Sequence, residues 1–256
     1  MIIVSRALGL ISAAVALLLL RIRWPTTRWL RLNRVGTFYS QDGQDLYVAS
    51  LLFNALQQQQ SPWVVDVGCN HPTMYSNSLL FEKYFGCRTL AIDALASYQA
   101  DWETLRPTAH FVHSAIGARE GTVKLTITGS DATEQMFSFV EGGKPKDAGL
   151  HKQKVVTVPV RRLQDVLAER GIRQVLFMSV DVEGAELDVL RGIDFQQCFI
   201  ACLCVENNSR LSGEDGIRHY LLKQGYVFHS RIGFLDDVFV HGGLLNGQLP
   251  ALAQDG

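Results

Sequence analysis

From residue 63 onward, short runs of β-branched and apolar residues alternate with segments whose apolar positions recur at helical spacing. The runs predict strands at residues 63–67, 88–93, 110–113, 123–128, 155–160, 175–181 and 199–206. The spaced segments predict helices at 76–84, 98–105, 163–169, 185–191 and 216–224, the last three followed by Gly171, Gly192 and Gly225. Strands at 226–230 and 237–241 lie close enough to pair antiparallel. Upstream, 46–56 reads as a helix and 57–61 as a polar break. Between Gly129 and Gln153 the pattern fails, and a long loop is expected, either a lid or binding loop or simple disorder. Strands alternating with helices predict a doubly wound, mostly parallel α/β sheet of the Rossmann-like kind.

Before this alternation, an apolar stretch from Ala7 to Leu20 runs into Arg21, Arg23, Arg28, Arg31 and Arg34, interleaved with Trp24, Trp29 and Leu30. An apolar run followed by a basic, aromatic collar predicts a membrane anchor over residues 1–36, spanning or interfacial. With Ile2, Ile3 and Val4 the run approaches the ~20 residues a spanning helix needs, Arg6 snorkelling to the surface. A cleaved secretory signal and a buried N-terminal helix are the alternatives; no small-residue cleavage pattern is evident after Leu20. Positive charge after the segment would put the folded domain, 37–245, on the cytoplasmic side, with 246–256 as a tail.

Composition narrows the reading further. A hydrophobic fraction of 47% supports one full α/β domain, and a formal net charge of −1 creates no overall field for nucleic acid. Cys69, Cys87, Cys198, Cys202 and Cys204 are odd in number and contain no CxxC pair. Neither a disulfide framework nor a zinc site is expected, and a reducing compartment fits best.

Two acidic turns carry the candidate chemistry. Val64-Val65-Asp66-Val67-Gly68-Cys69-Asn70 and Ser179-Val180-Asp181-Val182-Glu183-Gly184-Ala185-Glu186 each end an apolar strand on carboxylate and glycine. In an open parallel sheet ligands bind at the carboxyl ends of the strands, so turns far apart in sequence can meet at one site. The first turn is not GxGxxG and offers no pyrophosphate cradle, which favours a nucleoside without phosphate over a dinucleotide. Asp93, at the end of the next predicted strand, suits the vicinal hydroxyls of a ribose in either case. Ser114 and Ala115 supply small residues suited to the flank of a purine, although a plain turn explains them almost as well.

The chain resembles the FkbM family of S-adenosylmethionine-dependent methyltransferases over about Phe38 to Val240. The resemblance rests on Ser40-Gln41-Asp42-Gly43-Gln44-Asp45, the first acidic turn, Asp93, Ser114-Ala115-Ile116-Gly117, and above all Asp181 to Glu186 followed by Val189-Leu190-Arg191-Gly192. It implies a seven-stranded methyltransferase fold and methyl transfer to a hydroxyl oxygen, commonly on a sugar or polyketide-type metabolite. It also implies that Gln41 and Gln44 lie over an S-adenosylmethionine held by Asp66, Gly68, Asn70, Asp93, Ser114 and Ala115. His71-Pro72 departs from the commoner glycine-rich continuation.

A hydroxyl needs help to lose its proton near neutrality, from a base or from a cation. Asp181, Glu183 and Glu206 end adjacent predicted strands, Glu206 preceding Asn207. One carboxylate acting as base is the favoured reading; a divalent cation held by these residues is the other. Acids at Glu183 and Glu186 are also explained by the dipole of the helix that follows. His71, His113 and His229 are further candidate bases, each with a simpler structural reading. The expected function is therefore O-methyl transfer to a glycan, glycolipid or related small-molecule acceptor beside a membrane, without nucleic acid. A non-catalytic scaffold with this fold and an NAD-dependent reductase are the alternatives.

Overall fold

The computed structural model describes residues 38–128, 138–140, 153–208 and 216–245. Helices α1 (Gln44–Leu51) and α2 (Phe53–Gln58) lead into β1 (Trp63–Val67), α3 (Leu79–Phe85) and β2 (Arg88–Asp93). A 3₁₀ turn at Ala96–Tyr98, α4 (Gln99–Leu105) and β3 (His110–His113) follow. Then come β4 (Ala115–Ile116), β5 (Gly121–Thr128), β6 (Phe139–Val140), β7 (Gln153–Arg161) and α5 (Leu163–Ala168). The last part runs through β8 (Gln174–Val180), α6 (Glu186–Arg191), β9 (Phe199–Glu206), α7 (Gly216–Lys223), β10 (Tyr226–Ile232), β11 (Asp236–His241) and α8 (Gly242–Leu245).

The main sheet has seven strands in the order β10-β11-β9-β8-β1-β2-β3. From β9 to β3 all neighbours are parallel, while β11 runs antiparallel to β9 and β10 to β11. The strands of β1, β8 and β9 are nearly continuous apolar runs because both faces are covered. Val65, Val67, Met178, Val180, Leu203 and Val205 pack with Leu163, Val166, Val189 and Ile217 from α5, α6 and α7. Val64, Phe177, Cys202 and Cys204 pack on the other face with Leu46, Leu52, Phe53 and Phe81. The five cysteines are buried and free of disulfides.

The strands foreseen at 123–128 and 155–160 do not join the main sheet. They form a second sheet, β4-β7-β5-β6, in which β5 pairs antiparallel with β7 from Gly121↔Val160 to Thr128↔Gln153. Their exposure explains the choice: β5 and β7 are buried on one face only, Leu125 and Val158 inward and Val155 outward. A strand with one wet face cannot enter a sheet covered on both sides. The inward face, with Val123, Ile127, Val156 and Val160, packs on Leu95, Tyr98 and Trp102, which follow the end of β2.

Other boundaries move modestly. The helix expected at 46–56 is two, divided at Leu52, whose backbone (φ −92°, ψ 6°) leaves the helical region. Of the expected 129–153 loop, Phe139–Val140 is a strand paired with Leu125 and Thr126; 129–137 and 141–152 lie outside the described residues. The expected anchor at 1–36 and tail at 246–256 also lie outside them. Among the described residues no helix is long and apolar enough to cross a membrane; the expected N-terminal hydrophobic helix falls outside those residues.

Phe177 is fully buried against Phe81, ring centroids 4.9 Å apart. Phe177→Ala is expected to destabilise the domain by about 3–5 kcal/mol in denaturant melts, the range for deleting a buried aromatic from a packed core.

Candidate active site

The two acidic turns abut. At the end of β1 the chain reverses through Gly68, with φ +80°, and a Cβ there would stand 2.0 Å from the carbonyl oxygen of Asp181. Asp181 N–H donates to Val67 O (3.0 Å), and Gly68 N–H to Ile92 O (2.9 Å), so the ends of β8, β1 and β2 are laced together by backbone. Only glycine allows that approach.

Asp93, at the end of β2, is buried and organises the next shell. Its Oδ2 accepts from Asn70 N–H (2.7 Å), and its Oδ1 from Leu95 N–H (2.8 Å). Asn70 holds a left-handed backbone, φ +51°, that the first of these bonds helps to fix. Burial pushes the Asp93 carboxyl up, against the pull of these amides. Ser114 N–H donates to Asp93 O (2.8 Å), and its hydroxyl lies 2.8 Å from Ala115 O. Gly68, Asn70, Asp93, Ser114, Ala115, Asp181 and Glu183 all line one cleft, whose roof is Leu125 and Ser138 from the small sheet.

The second turn carries the other carboxylates. Glu183 is left-handed at φ +55° and is followed by Gly184 at φ +108°. Glu186 Oε1 accepts from Gly184 N–H (2.8 Å) and Val182 N–H (3.2 Å), so it shapes the loop from within rather than merely facing the dipole of α6. Burial, then the charge of Glu206, pushes its carboxyl up to about 7. Asp181, Glu183 and Glu206 bring a carboxylate oxygen each within 4.8 Å of one another. Beside Glu206, Asn207 Nδ2 donates to the buried Asp237 (2.9 Å), which also accepts from Arg218 (2.8 Å) and Arg231 (2.6 Å). Burial would raise Asp237, but these hydrogen bonds outweigh it and hold the carboxyl below its ordinary value.

Four residues from the sequence reading do not line this cleft; one is Glu206, whose carboxylate lies behind the rim beside those of Asp181 and Glu183. Asp66 lies in β1 with its carboxylate buried near Ser78 and Arg106, outside the cleft lining. Gln44 is buried, its Nε2 donating to Asp236 (3.0 Å), the strand partner of Glu206. Gln41 is exposed. The histidines have other partners: His71 Nδ1 accepts from Thr73 and Met74 N–H, His113 Nε2 contacts Ala94 O, and His229 contacts the Tyr47 hydroxyl. Sequence reasoning missed the roof and Asn77, whose Nδ2 donates to Ser179 Oγ (2.9 Å) two residues before Asp181. The one-sided polarity of residues 121–128 was the available signal for the roof; Asn77 carried none.

The sequence profile of the "Methyltransferase FkbM domain" matches residues 66–228. The chain is similar to "Methyltransferase 1" of Beauveria bassiana (strain ARSEF 2860), 43% identical over 70 residues, which are 27% of this chain and 28% of that protein. Among solved structures, the METTL16 methyltransferase domain aligns with a TM-score of 0.42 and 16% identity, covering 90% of this chain and 79% of that one.

Two outcomes are expected. Gly68→Ala forces the Asp181 peptide away and adds left-handed strain of ~1–2 kcal/mol on top of the clash, so the melting temperature should fall markedly. Asp66 is pushed up to about 6, by burial first, so its protonated form is favoured on folding. That contribution is fully present below its unfolded value near 3.8 and is lost as pH rises through about 6. Asp66→Asn should therefore flatten the fall in melting temperature between those pH values, measured by calorimetric scans across the range.

Proposed function

The chain belongs to the FkbM methyltransferase family, and from that premise we propose that it is a methyltransferase that uses S-adenosylmethionine to methylate a hydroxyl of a glycan, glycolipid or related metabolite. The observation that carries the donor is the character of the cleft: Asp93, Asp181 and Glu183 line it together with Leu95, Ala115, Ile116 and Leu125, and its lining holds no lysine or arginine among the described residues. Acidic groups among apolar walls suit a nucleoside and a sulfonium cation, whereas a pyrophosphate would meet carboxylates without a countercharge. The same contrast weighs against a nicotinamide dinucleotide.

In this reading Asp93 holds the ribose hydroxyls, the Gly68–Asn70 turn receives the amino-acid end, and Ser114, Ala115 and Leu125 flank the base. Gln44 acts from outside, through Asp236, and Asp66 supports the turn from beneath. S-adenosylmethionine supplies an electrophilic methyl group. The residues of the chain then have to orient the acceptor oxygen in line and take its proton, positioning alone contributing up to ~7–11 kcal/mol in favourable cases. Glu183 and Asp181 line the cleft, and we assign the proton to this carboxylate pair with Glu206 behind it.

A second reading shares the same atoms. Three carboxylate oxygens within 4.8 Å could bind a hard divalent cation that lowers the acceptor pKa directly. We also propose that residues 1–36 tether the domain to the cytoplasmic face of a membrane, on the strength of the apolar run and its arginine collar.

Titration calorimetry with S-adenosylmethionine and its demethylated product tests the donor. Asp93→Ala should weaken both by tenfold or more, the loss of a charged hydrogen-bond acceptor being about 1.5–3 kcal/mol. Glu183→Gln should keep the affinity and lower transfer of labelled methyl into a glycan extract by about 10²–10⁴-fold, the usual reach of a general base. Full activity after chelation and dialysis would eliminate the cation. A full-length protein that stays in the soluble fraction, like a form lacking residues 1–36, would eliminate the tether.

A further inference from the structure

Arg106, just past α4, is far from the reacting carboxylates in sequence and has no part in the cleft lining. Its side chain is 1% exposed. Nη1 donates to Pro72 O (3.2 Å), Ser76 Oγ (3.2 Å) and Ser78 Oγ (3.0 Å). Nη2 donates to Glu82 Oε2 (2.6 Å) and Thr89 Oγ1 (2.9 Å), and Nε also reaches Glu82 (3.1 Å). The guanidinium lies over the ring of Trp102, 4.5 Å from its centroid, and Trp102 Nε1 donates to Asn70 O (2.8 Å).

The Nη1 bonds and the Trp102 bond converge on one piece of chain. Residues 70–78 connect the Gly68 turn to α3, and within them Asn70 and Tyr75 both hold left-handed backbones, at φ +51° and +56°. Neither is glycine, and each such residue costs roughly 1–2 kcal/mol, so the conformation persists only where the surroundings impose it. Part of the bracing is internal, through His71 Nδ1. The rest comes from α4 and its end: Trp102 pins Asn70, and the planar fork of Arg106 pins Pro72, Ser76 and Ser78 while Glu82 balances its charge. One end of the segment lines the cleft at Asn70, and the other reaches Ser179 through Asn77.

We propose that Arg106 is a positioning residue for methyl-donor binding: by holding residues 70–78 in their strained path it presets the Asn70 end of the cleft. This rests on the S-adenosylmethionine reading of that cleft for its ligand, though not for its geometry. A lysine at 106 keeps the charge but cannot make the fork. The buried guanidinium spends its donors on both sides, so its loss frees the segment while leaving β1, β8 and β9 paired.

The test compares full-length protein with Arg106→Lys and Trp102→Phe, reading S-adenosylmethionine affinity by calorimetry and amide hydrogen exchange by mass spectrometry. Expected are an affinity lowered about tenfold in Arg106→Lys, less in Trp102→Phe, and exchange at residues 70–78 accelerated while that of β8 and β9 stays at the wild-type rate. If Arg106→Lys does not fold, Ser76→Ala with Ser78→Ala removes the segment side of the fork and keeps the Glu82 pair, under the same criteria. Unchanged exchange at 70–78, acceleration shared equally by the core strands, or affinity within twofold of wild type would overturn the proposal. Should wild-type protein fail to bind S-adenosylmethionine, the donor reading falls, and the exchange pattern alone decides the role of Arg106.

Discussion

The close approach of Gly68 to the Asp181 carbonyl sets the geometry on which the rest of the site depends. It brings together turns more than a hundred residues apart in sequence, and it is possible because β1 and β8 are parallel neighbours in the middle of the sheet. Parallel neighbours end at the same rim, so their following turns compete for one space. Glycine at 68 resolves that competition by leaving room for the other backbone. With the turns so joined, Asp93 on one flank and Asp181 and Glu183 on the other face a common cleft, with Glu206 behind the pair.

The cost of this arrangement is buried negative charge. Asp66, Asp93, Glu186 and Glu206 are each at most 7% exposed, and burial drives the first three toward their neutral forms. The chain offsets the penalty with backbone amides at Asp93 and Glu186, and with arginines at Asp237 and near Asp66. Among the described residues, the carboxylates that face the cleft are not matched by any basic residue in its lining. A site built this way attracts positive charge, which the proposed sulfonium donor would bring.

Much of the scaffold was legible in the residues. The β-branched runs gave the main strands because strands buried on both faces must be apolar throughout, and β9 fell at Phe199–Glu206 as read. The two acidic turns and Asp93 were legible because strand ends in parallel sheets carry ligands. The small sheet was misplaced because strand character alone does not say which sheet a strand joins; its half-wet face does. Asp66 and Gln44 resemble cleft residues in sequence, yet alternation along β1 and the bond from Gln44 to Asp236 turn them elsewhere. Arg106 and Asn77 were silent, since contacts between α4, the 70–78 segment and β8 exist only in three dimensions.

A structure of the protein bound to S-adenosylhomocysteine tests the central claim most directly. The account predicts the ribose hydroxyls within hydrogen-bonding distance of the Asp93 carboxylate, the base under Leu125, and the sulfur turned toward Asp181 and Glu183. Ligand found elsewhere, such as the surface groove bounded by Arg119, Asp188 and Arg191, or ribose placed away from Asp93, would contradict it.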